Sequence, residues 1–207
     1  MFDKIIGNNE NKKILENTIK TGSILHSYIF TGMPGIGKML FAKEFAKAIL
    51  CEGTQKPCEK CESCISFNGE NNPDITIIDE KEKSIKTQTI KNMVKGVYEK
   101  PIISSKKVYI INDSQKMTKE AQNSLLKTLE EPPEYVVIIL ITENENLLLN
   151  TIKSRCSKIK FNNLNNLEIE HILKEKLGFD KIDNNILELA NRKHRKSNSY
   201  TRKRRYI

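Results

Sequence analysis

The sequence predicts an α/β protein built around a mainly parallel β-sheet. Short apolar runs recur along its 207 residues, and segments with a helical spacing of apolar side chains lie between them. Most of the runs are too continuous for strands with one solvated face, and they are typical of parallel strands covered by helices on both faces. A glycine-rich segment between the first run and a helical segment supports the same fold class.

Five runs are predicted to be the strands of this sheet. They are Tyr28–Phe30, Ile75–Ile78, Val108–Ile111, Val136–Ile141 and Ile159–Phe161.

Helices are predicted between these strands, where apolar residues repeat every three or four positions. The segments are Lys38–Leu50, Thr87–Tyr98 and Thr118–Leu129. Thr118 is a suitable N-cap for the last of them, and Pro132 stops its continuation.

The chain is predicted to hold one main domain and the beginning of another. Residues 1–161 carry the sheet, and the asparagine-rich segment 162–166 is interpreted as a linker. Apolar spacing predicts helices near 167–177 and 182–190, so residues 165–191 are interpreted as the start of a small helical domain.

The glycine-rich segment has the spacing of a phosphate-binding P-loop. Gly32, Gly35, Gly37 and Lys38 lie in a Gly-x-x-x-x-Gly-Lys pattern between a predicted strand and a predicted helix. Glycines let backbone N–H groups face a polyphosphate, and the lysine can neutralise the outer phosphates. The alternative, a glycine turn that only packs strand on helix, fits this context less well.

Three positions depart from the usual chemistry of such a loop. Met39 stands where a Ser or Thr hydroxyl would bind Mg²⁺, and a thioether is a poor ligand for that hard cation. Asn112 and Asp113 stand where P-loop ATPases carry a metal-organising Asp and often a water-orienting Glu. A register in which Asp113 binds the metal stays open. The loop can still hold ATP or ADP, but we expect poor Mg²⁺ binding and little hydrolysis.

Four cysteines within residues 51–64 predict a metal site. Cys51, Cys58, Cys61 and Cys64 have the spacing C-x6-C-x2-C-x2-C, which lets four thiolates converge on one Zn²⁺, whereas disulfides would need an oxidising compartment. Four thiolates leave no open coordination position, so the predicted zinc is structural. Cys156 lies apart from them and is interpreted as a packed core residue.

The formal net charge of +9 is concentrated in residues 192–207. This tail holds eight basic and no acidic residues, so residues 1–191 hold 27 basic and 26 acidic ones. Two interpretations stay open. The tail is either a disordered basic arm that binds phosphate backbones, or an out-of-frame translation, because one set of codons for it encodes GNIGKAIAILGREDI once a base is lost.

A cytoplasmic protein without membrane contact is expected. The sequence has no run approaching the roughly 18 apolar residues that span a bilayer, and the N-terminus lacks the apolar core of a signal peptide.

Together, the P-loop, the four-cysteine insertion, the run AQNSLLKTLEEPP at 121–133 and the Ser-Arg-Cys triplet at 154–156 resemble bacterial clamp-loader AAA+ subunits. The resemblance covers roughly residues 2–191. It implies an AAA+ P-loop NTPase fold with a zinc-binding insertion, a helical lid domain and a C-terminal collar domain, and the chain stops before the collar.

The resemblance also implies a role for Arg155 as an arginine finger, which reaches the ATP of a neighbouring subunit. The alternative is a solvated or ion-paired surface arginine. The family's sensor position falls near Thr142 or Glu143, where an acidic residue would repel phosphate. Glu130 and Glu131, at a predicted helix end, are interpreted as solvated or structural.

Within the family, Met39 and Asn112 favour the delta-prime type, with weak or absent ATPase activity, over the gamma/tau motors. The implied partners are gamma/tau and delta subunits, and through the complex the sliding clamp and primed DNA. Two alternatives are an active gamma/tau-type ATPase and a zinc-stabilised DNA-binding module.

Overall fold

The apolar runs form a single sheet in the computed structural model, which describes residues 1–3 and 5–177. The strands are β1 (Ser27–Thr31), β2 (Ile75–Ile78), β3 (Lys107–Ile111), β4 (Val136–Thr142) and β5 (Ser157–Lys160). Their order in the sheet is β2-β3-β4-β1-β5, and every neighbouring pair is parallel. The predicted parallel α/β fold is therefore confirmed.

Helices cover both faces of this sheet. They are α1 (Asn9–Thr21), α2 (Lys38–Leu50), α3 (Glu62–Asn68), α4 (Thr87–Val97), α5 (Lys119–Glu130), α6 (Asn150–Lys153) and α7 (Asn166–Leu177), with 3₁₀ turns at Ser114–Lys116 and Glu145–Leu147.

The alternating side chains of β4 show why the apolar runs are continuous. Val137 and Ile139 pack with α1 and α2 on one face, whereas Ile138 and Leu140 pack with α4 and α5 on the other. A strand that is covered on both faces needs apolar residues at every position.

The two edge strands differ from the prediction in burial and, for β5, in position. β2 is only partly buried, and β5 runs over Ser157–Lys160 rather than over Ile159–Phe161. In β5 the buried Ile159 lies between the exposed Lys158 and Lys160, because successive side chains point to opposite faces of the sheet and only one face is covered at this edge. The continuous apolar pattern therefore weakens at the sheet edges.

Two features of the fold position the loops described below. Thr118 caps α5 by accepting a hydrogen bond from the Ala121 N–H at 3.2 Å, as predicted. β1 and β4 pair from Ser27 with Ile138 to Thr31 with Thr142, so their C-terminal ends are level.

Helix α7 lies in the region predicted as the start of the helical domain. Residues 178–191 and the basic tail 192–207 lie outside the described residues, and the predicted domain boundaries stay predictions.

Candidate functional site

The phosphate loop connects the C-terminal end of β1 to the first residue of α2. Gly37 precedes the helix with φ 90°, a left-handed conformation that favours glycine. Gly32 follows the strand, and a Cβ there would lie 2.7 Å from the carbonyl oxygen of Phe161. Gly35 also has a positive φ, of 80°. The three glycines therefore fit backbone requirements of the loop itself.

Lys38 folds back onto this loop. Its Nζ donates hydrogen bonds to the carbonyl oxygens of Gly32 at 2.8 Å and Met33 at 2.7 Å. The side chain is buried, and the loss of solvation lowers the pKa of Lys38, while the negative charges of Glu143 and Asp113 oppose that shift. A phosphate group would have to replace the two carbonyls as the partner of this ammonium group.

Met39, in the first turn of α2, is partly buried and packs against the core cluster that contains Phe41 and Phe45. Its thioether offers no hard oxygen ligand for Mg²⁺.

Asn112 and Asp113 follow β3 and are held by neighbouring side chains. The Asn112 Nδ2 donates to Asp79 Oδ1 at 2.8 Å. Asp113 has φ 49°, and its carboxylate accepts hydrogen bonds from Lys116 Nζ at 2.7 Å and Gln115 Nε2 at 3.3 Å. Both side chains are therefore engaged by neighbouring side chains at the C-terminal end of β3.

The predicted sensor position, Thr142 or Glu143, lies between these groups and the phosphate loop, because β4 separates β3 from β1. Thr142 is fully buried, and its Oγ1 accepts from the backbone N–H of Asn144 at 3.1 Å. Glu143 is close enough to raise the pKa of Lys38. Its carboxylate adds negative charge beside the place where phosphates would bind.

The four predicted cysteines converge. All four Sγ atoms lie within 4.8 Å of one another, and those of Cys51 and Cys61 are 4.0 Å apart. Ligands at 2.3 Å in a tetrahedron would be about 3.8 Å apart, so the arrangement is close to that of a zinc–tetrathiolate site. All five cysteines of the chain are free thiols, and Cys156 lies apart in the core, as predicted.

Backbone N–H groups point at three of the sulfur atoms. Gly53 and Cys58 donate to Cys51 Sγ, Cys61 donates to Cys58 Sγ, and Cys64 donates to Cys61 Sγ, at 3.3–3.4 Å. Backbone donors of Lys60 and Cys61 lower the pKa of Cys58 to about 6, whereas burial raises the pKa of Cys64 to about 12. The donors stabilise negative charge on sulfur, which fits a set of thiolate ligands for Zn²⁺.

An ion pair and a buried polar network join the segment 51–64, here called the cysteine loop, to the sheet domain. The buried Lys47 of α2 contacts both carboxylate oxygens of Glu59 at 2.6 Å. Below α3, Asn72 Nδ2 donates to the carbonyl oxygen of Ser63 at 3.0 Å, and Ser104 Oγ lies 2.9 Å from Ser63 Oγ. The buried Asp74 accepts three backbone N–H bonds from residues 102–104 at 2.7–2.8 Å.

Neither this hydrogen-bond network nor a second one around Gln122 was predicted from the sequence. The Gln122 amide donates to the carbonyl of Leu147 at 3.2 Å and accepts from the Leu149 N–H at 2.8 Å. The sequence pattern did indicate a buried polar contact at Gln122, because this residue lies on the same apolar face of α5 as Leu125 and Leu129. Asp74 had a weaker signal, as the residue just before β2.

Arg155 lies at the opposite end of β1 from the phosphate loop. Its carbonyl oxygen accepts a 2.8 Å hydrogen bond from the hydroxyl of Ser27, the first residue of β1. Its guanidinium contacts Glu130 Oε1 at 2.8 Å through Nη2 and the Thr151 carbonyl at 2.7 Å through Nη1. The structure therefore does not bring Arg155 to this chain's own phosphate loop.

No helix in the described part of the chain is long and apolar enough to cross a membrane.

Comparisons with known proteins show the family to which the chain belongs. The family described as "DNA polymerase III, delta subunit" matches residues 7–165. The chain is 39% identical to DNA polymerase III subunit delta' of Bacillus subtilis over 164 aligned residues. The aligned region covers 79% of this chain and 50% of the relative. It is 36% identical over 175 residues to subunit gamma/tau of Mycoplasma pneumoniae, covering 84% and 26% respectively. The chain thus spans about half the length of the first relative and about a quarter of the second.

Solved structures share the AAA+ fold. A DNA polymerase III gamma subunit-related protein from Thermotoga maritima matches with a TM-score of 0.56 and 27% identity, over 79% of this chain and 50% of that one. The RuvB Holliday junction branch migration motor of Thermotoga maritima matches with a TM-score of 0.54 over 82% of this chain and 50% of that one. At 18% identity, the RuvB similarity concerns the fold alone.

Proposed function

Because the chain belongs to the DNA polymerase III delta-subunit family of clamp-loader proteins, we propose that it acts as a delta'-like subunit of the DNA polymerase III clamp loader. In this role it assembles with gamma/tau and delta subunits and supports ATP-driven loading of the sliding clamp onto primed DNA. Arg155 acts as an arginine finger on the ATP of a neighbouring motor subunit.

The position of Arg155 is the observation that carries this proposal. Its main chain is fixed to the beginning of β1, while this chain's own phosphate loop follows the end of the same strand. A partly exposed guanidinium that is separated from its own nucleotide site is suited to act in trans. Its planar fork matches the oxygens of a γ-phosphate.

The gamma/tau type is the alternative, and overall similarity hardly separates the two, with identities of 39% and 36%. The side chains of the site favour the delta' type. Met39 provides no hard ligand, and the carboxylate of Asp113 is occupied by Lys116 at 2.7 Å. We therefore infer that ATP hydrolysis takes place on partners and that any nucleotide bound here is not efficiently turned over.

We also propose that Cys51, Cys58, Cys61 and Cys64 hold one structural Zn²⁺. The converging sulfur atoms and the N–H groups directed at them support it. With four thiolates the ion would stabilise the loop and would have no position for a catalytic water.

The first prediction tests the role of Arg155 as an arginine finger. Arg155→Ala in a loader reconstituted with gamma/tau, delta, clamp and primed DNA should lower the ATP turnover of the facing site at least about tenfold, because the developing phosphate charge loses its donor. Arg155→Lys should rescue poorly, since a single ammonium cannot reproduce the fork.

Lys153→Ala is the matched control, because it removes a positive charge from the same segment without removing a guanidinium. An unchanged ATP turnover of the reconstituted loader with Arg155→Ala would contradict the role of Arg155 as an arginine finger. Strong Mg²⁺-dependent hydrolysis by the isolated chain, abolished by Lys38→Ala, would instead establish the motor type.

A further inference from the structure

The main chain at Arg155 is held rigidly on both sides. The buried Ser27 hydroxyl donates to the carbonyl oxygen of Arg155 at 2.8 Å, and the next residue, Cys156, is buried in the core. Ile152, three residues earlier, is also fully buried. Only the side chain of Arg155 is therefore free to change direction.

Three acceptors hold that side chain. Nη1 donates to the Thr151 carbonyl at 2.7 Å and to Ser154 Oγ at 3.3 Å, while Nη2 contacts Glu130 Oε1 at 2.8 Å. The first two acceptors belong to the same short segment as the arginine. Glu130 is the one charged partner of this guanidinium among the described residues, and it comes from a different helix.

Helix α5 fixes the place of Glu130. Glu130 is the last residue of α5 and follows the buried Leu129. The amide of Gln122, on the same helix, binds the backbone of Leu147 and Leu149 just before α6. This link holds the end of α5 beside the segment that carries Arg155.

Stability does not account for this ion pair. The side chains of Arg155 and Glu130 are 33% and 48% exposed, and exposed pairs contribute little to the free energy of unfolding. Fixing a long arginine side chain in advance does help a later contact, because the entropy of ordering is lost before the partner binds. A guanidinium can hold a carboxylate on one edge and still present its remaining N–H groups to a phosphate.

We propose that Glu130 is a positioning residue, which holds the guanidinium of Arg155 in the orientation required to act on a neighbouring subunit's ATP. This inference rests on the proposed function. It gives a specific task to one of the two glutamates that the sequence suggested were merely solvated or structural.

The test uses the complete reconstituted loader with clamp and primed DNA, and compares Glu130→Ala, Glu130→Gln and Glu130→Lys. Glu130→Ala should lower kcat roughly three- to tenfold with little change in the KM for ATP, because misorientation affects the transition state more than nucleotide binding. Glu130→Gln should recover most of the rate, since its amide oxygen accepts the same hydrogen bond. Glu130→Lys should lose at least as much as Glu130→Ala.

Glu131→Ala is the matched control, because Glu131 is the adjacent exposed glutamate and has no recorded contact with Arg155. The double variant Arg155→Ala/Glu130→Ala should be no slower than Arg155→Ala. A slower double variant would overturn the inference, because Glu130 would then act without Arg155. Equal rates for Glu130→Ala and Glu131→Ala would overturn it as well, provided that Arg155→Ala is slow. If Arg155→Ala is itself normal, the proposed function fails and this inference fails with it.

Discussion

At the scale of single residues, Lys38 and Met39 decide what the phosphate loop can do. The ammonium group of Lys38 is bound to two carbonyls of its own loop, and a polyphosphate could displace them. Met39 packs into the core and offers only a thioether sulfur. The loop thus keeps the charge that attracts phosphate but lacks the ligand that would bring a cation with it.

A second prediction follows for nucleotide binding. The affinity of the chain for ADP should change less than about twofold between excess Mg²⁺ and excess EDTA, because Met39 cannot bind the cation. Met39→Thr should make the affinity depend on Mg²⁺. Titration with a fluorescent ADP analogue measures both values, and a strong Mg²⁺ dependence in the unmodified chain would contradict the prediction.

Some residues of the candidate sites were predictable from the sequence, and others were not. The glycines, Lys38 and the four cysteines were found because their chemistry depends on local spacing. The pairing of Arg155 with Glu130 was not found, because 25 positions separate the two residues in sequence and α5 and α6 bring them together. The ion-paired state of Arg155 was only one of two alternatives.

At the scale of elements, the cysteine loop is a short segment held by a charge contact at Glu59 and by buried polar contacts at Ser63. Lys47 binds Glu59 at 2.6 Å, and Asn72 and Ser104 contact Ser63 of α3. A Cβ on Gly53 would lie 2.8 Å from Cys58 Sγ, so the loop backbone also passes close to the ligands. The loop has little room to rearrange around a lost ligand.

The third prediction concerns this element. The purified chain should contain one Zn²⁺, and Cys58→Ser should lower the zinc content and reduce thermal stability, since four-thiolate sites contribute directly to folding. Cys156→Ser is the control, because Cys156 lies in the core away from the cluster, and it should keep the metal. Metal analysis together with thermal unfolding tests this, and an unchanged zinc content in Cys58→Ser would contradict it.

Elements were predictable from sequence where a continuous apolar run or a clear helical period marks them, including the partly buried β2. β2 and α2 were placed at their observed bounds, and β3 and β4 within one residue of them. β5 was displaced and α1, α3 and α6 were not predicted. β5 is an edge strand with polar residues facing outward, and α3 and α6 have 7 and 4 residues, too few for a clear helical period.

At the scale of the whole molecule, a pair of asparagines ties the N-terminal segment to the chain that leaves the sheet. The Asn8 Oδ1 accepts from the Asn162 N–H at 2.8 Å, and its Nδ2 donates to the Asn162 carbonyl at 3.1 Å. Asn11 Nδ2 also donates to the Lys160 carbonyl at 2.9 Å. Residues about 150 positions apart thereby close the domain beside β5.

The fourth prediction tests this closure. Asn8 has φ 51°, so Asn8→Gly keeps the backbone conformation but removes both amide contacts with Asn162, and it should lower the free energy of unfolding by about 1 kcal/mol. Glu70→Gly is the control, because Glu70 has a similar φ of 55° and no recorded side-chain bond, and it should be neutral or slightly stabilising. Thermal unfolding distinguishes them, and equal stabilities would contradict the prediction.

The placement of Arg155 and the phosphate loop at opposite ends of β1 gives the protomer a direction. Under the proposed function, a neighbour that receives the arginine would meet one end of this five-residue strand, while a nucleotide of the chain itself would lie about 15 Å away at the other end. Subunits joined through these two surfaces would follow one another head to tail, and no two-fold symmetric pair could form through them. If the loop of this chain does not support hydrolysis, as proposed, a neighbour's arginine would have no ATP to act on here, and such a head-to-tail series of subunits would end at this chain.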